Sequence, residues 1–480
     1  MPQVPFDFTA PVPSVDDLGA VHLVAIGGAG MSALARILLD LGTRVTGSDA
    51  MDSPTLRALS EEGADVHIGH DPAYLQGADT VVVSSAVRES NVELRAARAL
   101  GLRVLHRAQA LAATMGEQRP VAVAGANGKT TTSSMLAVAL QHCGFDPSFA
   151  IGGELAGYAT NARAGLGDVF VVEADESDRS FLVYHPEVAI VTSVQPDHLD
   201  FFGSFEAVET AYREFVATLR PGGLLVAGVD DPGARRLAGW AAGQGVRVIG
   251  YGTSPGVDLR VTDPAYERMT ASARVLAHGT ALTLALGVPG EHNLLNATAA
   301  LAAAVEGLGA PPGLVLGGLA SFSGTRRRFE PKGRAHGVQV VDDYAHNPGK
   351  VAAAVSTARR LVSGTGRLVV VFQPHLFSRT RDFAAELGRG LSAADVVVVM
   401  DVYAAREDPV PGVTGELVAA AVRAARPACD VRFEPSWSAV APMVAELVVP
   451  GDLVLTVGAG DVTMLGPAVL ALLGERQGQA

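Results

Sequence analysis

Short apolar runs alternate along the chain with longer stretches whose apolar residues recur every three or four positions. VHLVAIGG leads into MSALARILLDLG and then RVTGSD. Later runs are VVVSSAV, VAVAGANG, DVFVVEAD, EVAIVTSVQ, GGLLVAG, RLVVVFQP, ADVVVVMDV and DLVLTVGAG. β-Branched runs that end in Gly, Ser or Asp fit strands buried on both faces of a parallel sheet. Their alternation with helical stretches predicts α/β domains wound by right-handed crossovers. The stretch from Tyr251 to Pro289 is less regular and reads as an antiparallel insertion. Composition shifts near Met115–Pro120 and near Ser323–Gly333 predict three segments, 1–116, 117–326 and 327–480.

Composition narrows the function. The 480 residues are 48% hydrophobic and 18% charged, enough for large cores. A net charge of −13 argues against a general nucleic-acid binder. Two cysteines, Cys143 and Cys429, cannot build a disulfide framework, so a reducing compartment is expected. The start, MPQVPFDFTAPVPSVDDLG, is acidic and broken by proline, unlike a signal peptide, and no apolar run is long enough to span a bilayer. A cytoplasmic protein without membrane insertion is expected, as a monomer or weak homodimer.

Two glycine loops carry the first chemistry. Gly28-Ala29-Gly30-Met31-Ser32-Ala33 fits G-x-G-x-x-A between a strand and a helix, and Asp49 ends the next strand, where dinucleotide folds keep a ribose-binding acid. Such glycines let a backbone approach a pyrophosphate at a helix N-terminus; NAD and a UDP-sugar both offer that group. The second loop, Gly125-Ala126-Asn127-Gly128-Lys129-Thr130-Thr131, is shorter than a Walker loop. It still supplies backbone N–H groups, a lysine for the β- and γ-phosphates and hydroxyls for Mg²⁺. Two later strands end in acids: Glu173, Asp175 and Asp178 on one, and Asp197, His198 and Asp200 on the other. Ligands of open α/β sheets sit beyond such strand ends, so these groups are expected to converge.

Through GGAGMSALA, GANGKTTT, EADESDRSFL, DHLD, GEHNLLNATAA, FSGTRRRFE, DDYAHNP, QPHLFSRTRD and VGAGD, the chain resembles the Mur ligase family nearly end to end. These are the ATP-dependent ligases of peptidoglycan precursor synthesis. The resemblance implies a Rossmann-like N-terminal domain for the UDP-sugar, a central phosphate-loop ATPase-like domain, and a Rossmann-like C-terminal domain for the amino acid. It implies ligation of L-alanine to UDP-N-acetylmuramate through an acyl phosphate, with ATP as substrate and Mg²⁺ as cofactor.

Residue by residue, it implies that Gly28, Gly30, Asp49, His70, Ser84 and Ser85 hold the UDP-sugar. ATP would meet Gly125, Ala126, Asn127, Gly128, Lys129, Thr130, Thr131, Asn293, Asn296, Arg327 and Asp343. Thr130, Glu173 and His198 would hold the metal, and Tyr344, His346 and Arg379 the amino acid. Lys129, Glu173, His198, Arg327 and His346 form the implied catalytic set. Asn127 stands where a histidine is common in the family's L-alanine-adding ligases, Asn347 replaces a frequent second histidine, and Leu376 replaces an arginine near the expected amino-acid site.

The chemistry needs these residue types. A carboxylate is a poor electrophile until phosphorylated, and two anions must meet for that step, so cations must screen them. A phosphate-loop lysine is expected to face solvent without ATP, and nothing in the sequence clamps the three segments together. Closure on ligand binding is therefore expected, with the C-terminal segment moving. The rival readings are another amino-acid or peptide ligase of the family, an NAD-dependent dehydrogenase, and a non-catalytic binding protein on the same scaffold.

Overall fold

The computed structural model describes residues 6–158, 160–362, 364–405 and 407–477. They form three sheets. The chain divides into two compact units, Met1–Tyr266 with Thr270–Ser323, and Glu267–Met269 with Gly324–Ala480.

The first sheet contains β1 (Val21–Val24), β2 (Val45–Asp49), β3 (Asp65–Ile68), β4 (Thr80–Val83) and β5 (Arg103–His106). The strands are parallel, in the order β3-β2-β1-β4-β5. Winding reverses between β1 and β4, so the first glycine loop, which follows β1 and opens helix α1 (Ala29–Asp40), lies at the switch point where such folds bind ligands. Helices α2 (Pro54–Glu61), α3 (Val92–Ala99) and α4 (Arg107–Met115) complete the layers.

The second sheet has ten strands. They are β6 (Arg119–Ala124), β7 (Ser148–Ala150), β8 (Ala162–Arg163), β9 (Val169–Glu173), β10 (Val188–Val191), β11 (Leu224–Gly228), β12 (Arg247–Gly252), β13 (Leu259–Glu267), β14 (Thr270–Ala277) and β15 (Thr280–Leu286). β6 lies between β9 and β10, so the phosphate loop that joins β6 to α5 (Lys129–His142) is flanked by the ends of both acidic strands. Val121 and Val123 of β6 pack into one apolar cluster, Ala122 and Ala124 into another. Alternate residues thus feed opposite layers, which is why this strand reads as one continuous apolar run. The irregular stretch ends in the antiparallel pair β14–β15. One of the clusters extends from Leu23 and Leu34 beside the first sheet to Phe170 and Tyr212 beside the second, so these two sheets share a core.

The second unit contains β16 (Glu330–Ala335), β17 (Val338–Asp343), β18 (Leu368–Phe372), β19 (Val396–Val399), β20 (Asp430–Phe433) and β21 (Leu453–Val457). Their order is β16-β17-β21-β18-β19-β20, with β16 alone antiparallel to its neighbour. Among the described residues no helix is long and apolar enough to cross a membrane.

Candidate functional site

The phosphate loop is built by close contact. Gly125 has φ +134°, and a Cβ there would lie 2.0 Å from Thr192 Oγ1. Gly128 has φ +84°, and a Cβ would meet Asn296 Oδ1 at 2.5 Å. Only glycine fits either place. Ser193 Oγ accepts from Asn127 N–H at 3.2 Å, and the Asn127 side-chain amide donates to Gln195 Oε1 at 3.0 Å. Ser193 O accepts from Ala126 N–H at 3.2 Å. Asn293 and Asn296, on the helix Glu291–Ala302, are both buried; Asn293 donates to Pro289 O at 2.6 Å.

Lys129 does not face solvent, contrary to the expectation from sequence. Its Nζ donates to Gly125 O at 2.8 Å and to Glu176 Oε1 and Oε2 at 2.7 and 2.9 Å. Its side chain is 16% exposed, that of Glu176 4%. The strand-end turn that carries Glu176 supplies the pairing, because the ammonium has no water to turn to there. Burial works against the Lys129 charge, but Glu176 and Asp175 outweigh it and raise its pKa. Burial pushes Glu176 up, against the pull of Lys129. These tendencies compete; contact with both carboxylate oxygens favours the ionised pair.

Thr130 and Glu173 come together. The buried Thr130 hydroxyl donates to Glu173 Oε1 at 3.0 Å, and Gly152 N–H donates to Glu173 Oε2 at 2.7 Å. A hydroxyl and a carboxylate are hard oxygen donors that suit Mg²⁺, which takes one or two carboxylates, substrate phosphates and water. Among the described residues no group of three or more His, Cys, Asp or Glu is placed to hold a metal ion. His198 Nε2 lies 3.9 Å from Glu176 Oε1 and 3.9 Å from Asp197 Oδ2. The structure thus places His198 beside Glu176 and Asp197. The side chain of Asp200 lies outside the described residues.

The first glycine loop is also internally satisfied in part. Asp49 Oδ2 accepts from Gly27 N–H at 2.9 Å, and Gly28 is the N-cap of α1. His70 Nδ1 lies 3.1 Å from Ser48 Oγ and 3.3 Å from Glu93 Oε2, a carboxylate buried beside His22. Ser84 is half-buried at the end of β4. Ser85 turns to the second sheet: its hydroxyl meets Asp178, and it lies 3.0 Å from His106 Nε2. Burial raises the Asp178 carboxyl, yet His106, Ser180 and Ser85 hold it well below the usual carboxylate range.

Further links cross the same seam. Asn161 donates to Ala29 O at 2.9 Å and accepts from Arg36 Nη1 at 2.7 Å. Arg107 Nη2 approaches Asp175 Oδ2 at 3.8 Å. The first two segments are therefore clamped without any ligand, which the sequence did not lead us to expect. Glu176, Arg107, Asn161 and His106 were all missed by sequence reasoning. For Arg107 the available signal was a basic residue in the first turn of a helix, where the helix dipole disfavours it.

In the second unit Arg327 Nη2 donates to Gly458 O and Gly460 O, both at 2.9 Å, and its guanidinium lies 4.8 Å from the Tyr344 ring centroid. Asp343 accepts from Phe329 N–H and Ala345 N–H, each at 2.8 Å, and burial raises its pKa to about 6 against the pull of Arg328. His346 packs edge-on against Tyr344 and 5.7 Å from the His375 ring, which in turn stacks on Tyr403. Arg379 Nη1 lies 3.2 Å from His375 Nδ1. Burial, with Lys350 and Arg379 nearby, pushes His346 well below the ordinary histidine pKa, so it is neutral. The DDYAH and PHLFSRT motifs are thus brought to one side of this sheet.

Three family models match the chain: "Mur ligase family, catalytic domain" over residues 20–119, "Mur ligase middle domain" over 123–304, and "Mur ligase, glutamate ligase domain" over 327–460. The chain is 59% identical to the UDP-N-acetylmuramate–L-alanine ligase of Kineococcus radiotolerans, covering 97% of this chain and 99% of that protein. It is 54% identical to the enzyme of that name from Saccharopolyspora erythraea, covering 97% and 96%. The crystal structure of the UDP-N-acetylmuramate–alanine ligase of Thermotoga maritima superposes with a TM-score of 0.80 at 27% identity, covering 96% of this chain and 100% of that one.

Proposed function

The chain belongs to the Mur ligase family, and from that premise we infer that it joins L-alanine to UDP-N-acetylmuramate with ATP, giving UDP-N-acetylmuramoyl-L-alanine, ADP and phosphate. The observation that carries the inference from the site itself is the phosphate loop between two acidic strand ends, with Lys129 and the Thr130–Glu173 pair at its mouth. Relatives of the same printed activity match almost the whole chain.

The reaction requires two anions to meet. An oxygen of the muramate carboxylate attacks the γ-phosphorus, the bond to the β–γ bridging oxygen breaks, and ADP leaves. Lys129, released from Glu176, screens the γ-phosphate, and the loop N–H groups hold the β-phosphate. Thr130 and Glu173 would hold Mg²⁺, which would supply positive charge to screen the phosphate oxygens. The alanine amine then attacks the acyl carbon, and the tetrahedral intermediate expels phosphate. Neutral His346 is a candidate acceptor for the amine proton, as is His198.

The remaining assignments are part of this proposal: the segment limits 1–116, 117–326 and 327–480, Asn293 and Asn296 on the adenine side, Arg327 and Asp343 at the phosphates, and Tyr344, His346 and Arg379 at the amino acid. So are a cytoplasmic location, a monomeric or weakly dimeric state, and closure on ligand binding. Phosphate release is the test. It should require ATP, UDP-N-acetylmuramate and an amino acid together, with L-alanine best of a panel. Another amino acid preferred over alanine would move the chain to a sister ligase, and NAD reduction without ATP would remove it from ligation altogether.

A further inference from the structure

We propose that Tyr403 and His375 are positioning residues for the amino-acid substrate: Tyr403 holds the His375 ring in place, and that ring aims the Arg379 guanidinium at the α-carboxylate. That Arg379 meets the amino acid rests on the ligase reading above.

The sheet of the second unit brings these residues together. β17, β21, β18 and β19 are parallel neighbours. Ligands of open α/β sheets sit beyond the carboxyl ends of such strands. Tyr344 and His346 follow β17, His375 follows β18, Tyr403 follows β19, and residues 458–460 follow β21. The four rings form one row. Tyr344 lies 5.2 Å from His346, His346 5.7 Å from His375, and His375 5.9 Å from Tyr403, with the last pair only 16° from parallel.

Tyr403 is 38% exposed, yet its place is fixed. Its N–H donates to Pro374 O at 2.8 Å, and its carbonyl accepts from Leu376 N–H at 3.0 Å, so its backbone brackets His375. Glu407 returns to the same turn and accepts from Ser378 N–H at 2.9 Å. The ring also lies against Gly460, where a Cβ would come within 2.6 Å of Tyr403 Cγ. Burial gains little from a ring this exposed. The bracket is better explained by what it does to His375.

What it fixes is the turn between His375 and the helix Phe377–Leu391. Leu376 has φ +70°, a left-handed conformation costly to a leucine, and the bond from its N–H to Tyr403 holds it there. Arg379 lies in the first turn of that helix, with Nη1 3.2 Å from His375 Nδ1. A guanidinium can only donate, so Nδ1 is bare and accepts. That bond sets the plane of the arginine fork. A fork with a set plane pairs best with a planar anion such as a carboxylate.

Phosphate release with L-alanine and with L-alaninamide, which lacks the carboxylate, tests the proposal. Tyr403→Ala should raise the KM for L-alanine by about tenfold, the effect of weakening one charge-assisted contact, and should lower the preference for L-alanine over its amide by a similar factor. The KM values for ATP and UDP-N-acetylmuramate should stay as in wild type. Tyr403→Phe should behave as wild type, because among the described residues nothing hydrogen-bonds the hydroxyl. His375→Ala should match Tyr403→Ala, and the double variant should be no worse than either single one. His375→Asn, whose amide oxygen can accept in place of Nδ1, should recover part of the loss. Losses that multiply, a phenylalanine variant as poor as the alanine one, or equal weakening of all three substrates with the preference for alanine over its amide intact would each overturn the proposal. So would a rise confined to the KM for ATP, which would assign the aimed arginine to phosphate. If another amino acid proves best, it and its amide enter the same comparison, and only the identity of the substrate fails. A wild-type protein that releases no phosphate with any amino acid would sink the ligase reading and this proposal with it.

Discussion

Lys129 and Glu176 form a nearly enclosed ion pair, with Nζ 2.7 Å from Oε1, at the lip of the phosphate loop. On the proposed reading, ATP must therefore draw the lysine away from a partner rather than out of water. Glu176 fixes the lysine's resting position and sets how strongly the γ-phosphate must compete for it.

Lys129→Ala should lower ligation by at least about 10²-fold, the scale of losing one preorganised charge at a transition state. It should also cost roughly 1–3 kcal/mol of stability, because Glu176 is left buried without its cation. Adding Glu176→Gln should restore most of that stability and none of the activity. Phosphate release and denaturant unfolding separate the two effects; a single variant with normal turnover would take the ATP site elsewhere.

Thr130 and Glu173, which share a hydrogen bond, would give a metal two protein oxygens, so the ion should depend on the phosphates for the rest of its shell. Chelation with EDTA is expected to abolish ligation, and Mg²⁺ to restore it. The melting temperature without nucleotide should stay unchanged. A drop in melting temperature on chelation alone would reveal a structural ion.

Arg327 spans two backbone carbonyls and lies over the Tyr344 ring. A lysine cannot reproduce that geometry with one ammonium. Arg327→Lys should therefore lose most of what Arg327→Ala loses, again about 10²-fold if the arginine serves the phosphates. Steady-state phosphate release checks it, and a lysine variant close to wild type would reduce the role to simple charge.

His346 gives the pH dependence a sign. Its folded pKa is depressed below the ordinary 6.5 by burial and by Lys350 and Arg379. The unfolded chain takes up a proton below that value and the folded chain does not. This contribution is present above about pH 6.5 and fades as pH falls, at up to about 1.4 kcal/mol per pH unit. Unfolding between pH 5 and 7.5 should show a shallower acid loss in His346→Gln than in wild type. Parallel curves would mean the imidazole titrates normally.

The strands, both glycine loops and the Thr130–Glu173 meeting were legible because each is written locally: a buried apolar run, a turn needing glycine, an acid at a strand end. The Lys129–Glu176 pair was not. Glu176 follows Glu173 by three residues in a turn without periodicity, and only the fold decides which of the two carboxylates meets the hydroxyl and which the ammonium. Ser85 shows the same limit. Nothing near it in the chain announces that a residue 93 positions away, Asp178, meets it across the seam. Asn161, in an irregular stretch, carries no local mark of its reach to Ala29.

That seam has a consequence for substrate length. Asn161 ties the first glycine loop, and Ser85 and His106 tie the neighbouring strand ends, to the part of the chain that carries the phosphate loop, within one compact unit. The spacing between the two loops is then a property of the fold, and the pair acts as a gauge. If the two loops hold the diphosphate and the γ-phosphate as proposed, an acceptor is measured by the separation of its diphosphate from its carboxylate. An analogue shortened between those groups would still dock at one end while its carboxylate stopped short of the γ-phosphate, and it would inhibit without being consumed.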